Sequence, residues 1–341
     1  MTSVLSVSST PPPTPLDLDV PREIDPGLSS TDRMFHRTVR AIGIFVLVLT
    51  GSIGVFLGYQ AIPTLRRYGL SFFSESQWEP QLDKIGISST LIGTFEVAAV
   101  AMVVAFPLGL LTALFISEYA PPRLRSLLVS LVDLMAAVPS IVYGLWGFFL
   151  LQPHAIYLSR WLHQYLGFLP FFHVDTDPNA ADWAQSRYTA SAFIAGLCVS
   201  MMVIPLATAV MRGVFAQAPL GEREAAYALG AAKWGMIRSV VLPFGRGGII
   251  GGTMLALGRA LGETVAVLLI ISPAFDIKFR PLEVGTDTIS ALIAGRFGEA
   301  TSAQLSALLA AGFVLFLITL ATNTVAAVLI GRSRSGSSLD I

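Results

Sequence analysis

Residues 220–243 read "LGEREAAYALGAAKWGMIRSVVLP". The stretch starts polar and charged, yet long apolar runs stand on both sides of it. "EREAAYAL" is built from strong helix formers, with acids in its first turn, where the helix dipole favours them. Gly230 is suited to end that helix, because glycine takes a left-handed backbone without a Cβ clash. A second helix is predicted to begin near Ala231 or Ala232. The pattern is a helix–turn–helix that protrudes from an apolar body.

That body consists of six apolar spans, at about 41–62, 88–116, 127–151, 189–211, 247–271 and 303–330. Each has roughly 20 residues or more, enough at about 1.5 Å per residue to cross a hydrocarbon core of about 30 Å. Helices are required, since each backbone group must be satisfied within its own segment. The 341 residues are 54% hydrophobic and 13% charged. A soluble globular protein carries about 25% charged residues. The chain is therefore predicted to be an all-α polytopic membrane protein with six transmembrane helices.

Net charge is zero, which gives no electrostatic case for nucleic acid. Cys198 is the single cysteine, so no intramolecular disulfide and no cysteine metal site can form. It reads as a small core residue. His154, His163 and His173 have no recognised metal-ligand spacing and read as surface histidines.

Residues 1–32 are rich in Pro, Ser and Asp and lack an apolar run, which predicts a disordered tail rather than a signal peptide. Residues 33–334 form the membrane domain, with the hairpin in the connection 212–246, and 335–341 form a C-terminal tail. Short connections on one side carry 12 basic residues, and the longer ones on the other side carry 8. The positive-inside rule then places both termini, and the hairpin, in the cytoplasm. In the external connection 152–188, Tyr157, Leu158, Trp161, Leu162, Tyr165 and Leu166 recur at helical spacing. This predicts an amphipathic helix on the outer surface or on the rim of the bundle.

Catalytic motifs are missing. The sequence has no H-E-x-x-H and no G-x-S-x-G, and none of Lys84, Lys233 and Lys278 completes a phosphate-binding loop. Any ATP used must be hydrolysed by a partner.

Glu224-Ala225-Ala226, then Gly230, then Val240 and Leu242-Pro243 follow the spacing E-A-A-x-x-x-G-x9-[IV]-x-L-P. This resembles the EAA motif of type I ABC-importer permeases, whose coupling helix sits in a groove on the ATPase. The resemblance implies that Glu224, Ala225, Ala226 and Gly230 contact that partner. "ALGRALGETVAV", "MAAVPSIVYGLWGFF" and "ISEYAPPRLR" resemble the phosphate-specific subset of these permeases, the PstC type, over about residues 40–332. That resemblance implies inward transport of phosphate across the cytoplasmic membrane by alternating access. It also implies three partners: a second permease chain (PstA type), an ATPase dimer (PstB type) and an external phosphate-binding protein (PstS type). The binding protein would dock on 63–87, 152–188 and 272–302. This chain would bind no cofactor, and ATP and magnesium would be used by the ATPase.

Arg259 and Glu263 sit inside the fifth span, four residues apart on one helix face. A charge at mid-membrane costs roughly 2.5–3.5 kcal/mol, so that face must look into the bundle or a polar cavity. Two readings stand here. The residues form a self-neutralising pair, or Arg259 contacts an anion in transit while Glu263 holds it between passages. The guanidinium fork matches oxyanions, and the resemblance implicates both residues in transport. In the third span Pro139 bends the helix and frees backbone groups, with the hydroxyls of Ser140 and Tyr143 beside it. These hydroxyls are a second candidate for the path, against a plain proline kink. Glu96 and Asp133 are further intramembrane acids, expected to pair with arginines. Gly54 with Gly58, Gly247 with Gly251, Gly248 with Gly252 and Gly258 with Gly262 are expected to mark close helix approach. Two other functions stay open: a permease for another oxyanion such as sulfate or molybdate, and a membrane scaffold or signalling subunit that transports nothing.

Overall fold

The computed structural model describes residues 30–175 and 185–333. The predicted tails therefore lie outside the described residues, except that helix already begins at Ser30. The chain divides into two compact units, Met1–Ser52 and Ile53–Ile341. Helix α1 is Ser30–Tyr68. In the first unit its apolar side chains, Phe45, Leu47 and Val48 among them, are exposed. That is the surface a lipid-facing helix presents.

In the second unit, α2 (Ser71–Ser74) and a two-stranded ladder, β1 (Trp78–Glu79) with β2 (Lys84–Ile85), lead into α3 (Ser88–Leu114). A π-helical turn, Phe115–Tyr119, extends α3. Then come α4 (Pro122–Ala137), α5 (Ser140–Trp146) and α6 (Gln152–Leu166). The long α7 is Ala192–Phe215. The hairpin follows as α8 (Leu220–Ala228) and α9 (Lys233–Met236), continued by α10 (Leu242–Phe244). The chain ends with α11 (Arg246–Leu261), α12 (Val265–Ile270), α13 (Ile289–Arg296) and α14 (Ser302–Ser333).

The core is built on α3, α7 and α11. Gly196 lies on Val97 and Val100, and Gly109 lies on Ala207, so α3 and α7 run parallel. Gly248 faces Val214 and Gly252 faces Met211, so α11 runs antiparallel to α7. Bilayer lipid offers no hydrophobic drive for helices to associate, and close backbone approach at small residues takes its place. The predicted pair Gly54 and Gly58 sits at a helix contact, meeting Phe316 and Phe313 on α14, whereas Gly262 meets only the carbonyls of Gly258 and Arg259 in its own helix and marks no close approach.

Among the described residues, five unbroken helices are long and apolar enough to span a membrane. The pair Lys233–Phe244 and Arg246–Leu261, bent by 67°, is long and apolar enough only when taken together, and the membrane part of it is α11. Two expectations need correction. The third span is Ser140–Leu166, not 127–151. Val138 and Pro139 are extended, with ψ of 129° and 142°, because proline lacks the N–H and disfavours helix in the residue before it. The helix is thus broken there rather than bent. The separate α4 has 16 residues, about 24 Å, too short to cross. The predicted surface helix is not separate either: α6 continues α5 through a π-helical turn, Gly147–Leu151. Trp161 and Tyr165, ring centroids 5.3 Å apart, lie toward the end of this span.

Candidate functional site

The fifth span is interrupted. Helix α11 ends at Leu261, and α12 begins at Val265. Arg259 lies in the last turn of α11, and Glu263 lies in the break. Glu263 is 7% exposed. Its carboxylate Oε1 accepts the Ala266 N–H at 3.2 Å, capping α12. Its carbonyl accepts the Ser290 hydroxyl at 2.7 Å. Arg259 is exposed, and among the described residues its only polar contact is Met202 Sδ, 3.3 Å from Nη2. The predicted Arg259–Glu263 pair does not form. Once α11 stops, the two positions no longer share one helix face.

This leaves a guanidinium with five donors held by one thioether, which is a weak acceptor. Its anion-binding capacity is unspent.

The break between α4 and the third span is satisfied from within. The Tyr143 hydroxyl donates to the Met135 carbonyl at 2.8 Å, across the interruption. The Val138 N–H reaches the same carbonyl at 3.3 Å. The Ser140 hydroxyl has no hydrogen-bond partner among the described residues. Cys198, buried as expected, donates through Sγ to the Tyr143 carbonyl at 3.2 Å.

The structure brings the two broken spans together. A Cβ on Gly144 would come within 2.9 Å of Ala266 Cα, so α5 and α12 touch backbone to backbone. Gly144 is one turn past Ser140, and Ala266 is the residue that Glu263 caps. A groove of about 430 Å³ beside them is lined by Met135, Val138, Tyr143, Trp146, Met201 and Ile204. Its lining is apolar, so it supplies shape and no anion ligand. Of the other intramembrane acids, Asp133 meets Arg212 at 3.8 Å. Among the described residues Glu96 meets no arginine: it is 8% exposed, and its Oε1 has no partner.

The hairpin is formed as its sequence predicts. Gly230 has φ +83°. Its N–H bonds the Tyr227 carbonyl at 2.9 Å, and the Ala231 N–H bonds the Ala226 carbonyl at 3.0 Å, the two bonds of a Schellman motif. Ala232 is the N-cap of α9. Glu224, Ala225 and Gly230 are exposed and Ala226 is half-buried. Leu229 is 89% exposed, with Leu220 and Trp234 also bare. The hairpin thus carries three large exposed apolar side chains.

Sequence reasoning missed one link. Arg223 on α8 pairs with Glu118, at the end of α3, at 3.1 Å. The side chains are 17% and 3% exposed, respectively. Arg223 also donates to the Phe215 carbonyl at 2.7 Å. The only hint in the sequence is an acid in "ISEYAPPRLR", and an acid at the end of a span ordinarily reads as solvated.

Residues 105–335 match the family model for the inner membrane component of binding-protein-dependent transport systems. The chain is 37% identical over 333 residues to a Xylella fastidiosa protein named phosphate transport system permease protein PstC, covering 97% of this chain and 98% of that one. It is also 37% identical over 309 residues to phosphate transport system permease protein PstC 2 of Mycobacterium tuberculosis, covering 89% and 93%. Among solved structures, a chain of a bacterial alginate ABC transporter matches with TM-score 0.53 at 16% identity, over 87% of this chain and 93% of that one. A chain of the MetNI methionine ABC transporter matches with TM-score 0.50 at 13% identity, over 75% and 99%. Those two likenesses bear on the fold alone. An apolar bundle with a protruding EAA hairpin, matched at this identity across nearly its whole length, belongs to the family of binding-protein-dependent transport system inner membrane components, among its PstC-type permeases.

Proposed function

We propose that this chain is a permease subunit of an ATP-driven importer that carries inorganic phosphate inward across the cytoplasmic membrane. The observation that carries the reading is the exposed EAA hairpin, joined to spans whose relatives are named phosphate permeases. The chain has no nucleotide-binding loop, so a separate ATPase dimer of PstB type hydrolyses ATP with magnesium, and this chain binds neither. Glu224, Ala225, Ala226 and Gly230 meet that ATPase. A second permease of PstA type completes the pathway, and a PstS-type binding protein delivers phosphate to the outer connections. Both termini face the cytoplasm.

The path runs past the two broken spans. Arg259 offers its fork to the anion, and Ser140 adds a hydroxyl. Glu263 and Tyr143 line the path and hold the two breaks in shape. Weak, partial ligation suits this task, because an ion held tightly would not leave. ATP closes the ATPase dimer, the hairpins move together and the bundle opens outward. Hydrolysis then returns it to face inward.

The test is uptake of labelled phosphate by cells that lack their own importer, supplied with the partner subunits. Restored uptake with the intact chain, lost in Arg259→Gln at equal membrane level, supports the reading. Entry of sulfate or molybdate without phosphate moves the substrate to another oxyanion. Association with the partners without flux of any of these ions makes the chain a scaffold.

A further inference from the structure

Helix α3 packs against α7 at the centre of the bundle, yet no short connection joins it to the hairpin. Glu118 and Arg223 are 105 positions apart in the chain. Only side chains can tie α3 to the hairpin. Among the described residues two contacts do so, both on the π-helical turn that ends α3. Arg223 Nη1 donates to Glu118 Oε2 at 3.1 Å, linking α8 to α3. Lys233 Nζ stands 4.7 Å from the centroid of the Tyr119 ring, linking α9 to the next residue. The second guanidinium nitrogen of Arg223 holds the Phe215 carbonyl, at the end of α7. One arginine on the hairpin therefore grips the ends of two core helices.

We propose that Glu118 and Arg223, with Lys233 on Tyr119, form a clamp that carries displacement of the hairpin into α3 and α7. This rests on the hairpin being the ATPase contact. Glu118 and Arg223 are positioning residues, acting on the path through the helices they join. The physical reason is stiffness. An apolar contact slides at little cost, whereas a buried ion pair cannot separate without leaving a bare charge in a medium that solvates it poorly. The pair also has a spare atom on each side. Glu118 Oε1 and Arg223 Nε are buried and have no partner. The pair is therefore held by the single Nη1–Oε2 bond, with Nη2 committed to Phe215.

The experiment uses the whole importer in vesicles, with phosphate uptake and ATP hydrolysis read together. Glu118→Gln is expected to lower phosphate moved per ATP hydrolysed by about tenfold while the ATPase stays bound. Arg223→Lys keeps the charge, loses the fork and falls in between. The double variant Glu118→Gln with Arg223→Gln is expected to be no worse than either single one, because the two act as a unit. An unchanged ratio in an assembled Glu118→Gln importer overturns the clamp. A second arm needs no disabled pair: spin labels on Leu111→Cys and Glu222→Cys of the otherwise intact chain. Leu111 and Glu222 are exposed, and Cys198 is buried and does not label. An equal 111–222 separation in the nucleotide-free and vanadate-trapped importer supports the clamp, and a changed one overturns it. An intact importer that moves no phosphate sinks the substrate assignment, and the label arm still decides the clamp.

Discussion

Arg259 and Glu263 lie four residues apart on either side of a helix end, and their charges are spent in different directions. Glu263 turns inward to the Ala266 N–H, while Arg259 turns outward past Met202. An i,i+4 pair needs one continuous helix between its members, and α11 stops at Leu261. Arg259 is therefore the freer of the two, and the transport role falls on it first. A hydrogen bond to a charged group contributes roughly 1.5–3 kcal/mol, so Arg259→Gln is expected to cut phosphate flux by about 10- to 100-fold. Glu263→Gln keeps a carbonyl to cap α12 and is expected to lose less. Uptake at matched membrane levels ranks the two, and the opposite ranking would return the role to Glu263.

Gly230 holds φ +83° at the turn between α8 and α9. A Cβ meets nothing there, so crowding is no obstacle and the backbone conformation is the whole cost. Gly230→Val is expected to strain the turn by roughly 1–2 kcal/mol and tilt the EAA face. Capture of the ATPase by the purified chain should drop, while the amount of chain in the membrane stays the same. Full ATPase capture by this variant would mean that the turn geometry does not set the contact.

The Tyr143 hydroxyl is already committed to the Met135 carbonyl, which keeps the Val138 N–H as a second partner. Tyr143→Phe is therefore expected to cost about 0.5–1.5 kcal/mol of stability. Flux should change little beside the loss in Arg259→Gln. Thermal unfolding and uptake on one preparation check both halves. A collapse of flux at unchanged stability would mean that the hydroxyl leaves Met135 to meet the anion.

Asp287 lies between α12 and α13, 3% exposed. Burial pushes its carboxyl up to about 7, against the opposing pull of the Thr288 N–H and of Arg296. A raised acid holds its proton more tightly folded than unfolded. Stability is therefore greatest below the ordinary value of 3.8 and falls as pH rises toward 7. The slope in that window is at most about 1.4 kcal/mol per pH unit. Asp287→Asn keeps an acceptor for the Thr288 N–H and should remove that slope, raising the unfolding midpoint at pH 8. A midpoint that falls at pH 8 would show that the ionised carboxylate stabilises the fold.

Much of this protein was legible in its residues. Apolar run length alone predicts six spans, since a bilayer imposes both the length and the helix. "LGEREAAYALGAAKW" determines the hairpin by itself, because helix propensity and a left-handed glycine are local properties of the chain. What a span does at its middle was not legible. Pro139 marked an interruption, but whether the helix bends or breaks depended on Tyr143 supplying a donor to Met135 and Gly144 letting α12 come close. Nothing in "GRALGET" marks where α11 stops. The stop is stabilised by Ser290, which meets the Glu263 carbonyl from α13. The Glu118–Arg223 link joins residues 105 positions apart. Sequence determines that the apolar runs become helices, because that is a balance between the chain and its solvent. Which charges meet is a matter of distance across the bundle, and only the packing of α3, α7 and α11 decides it.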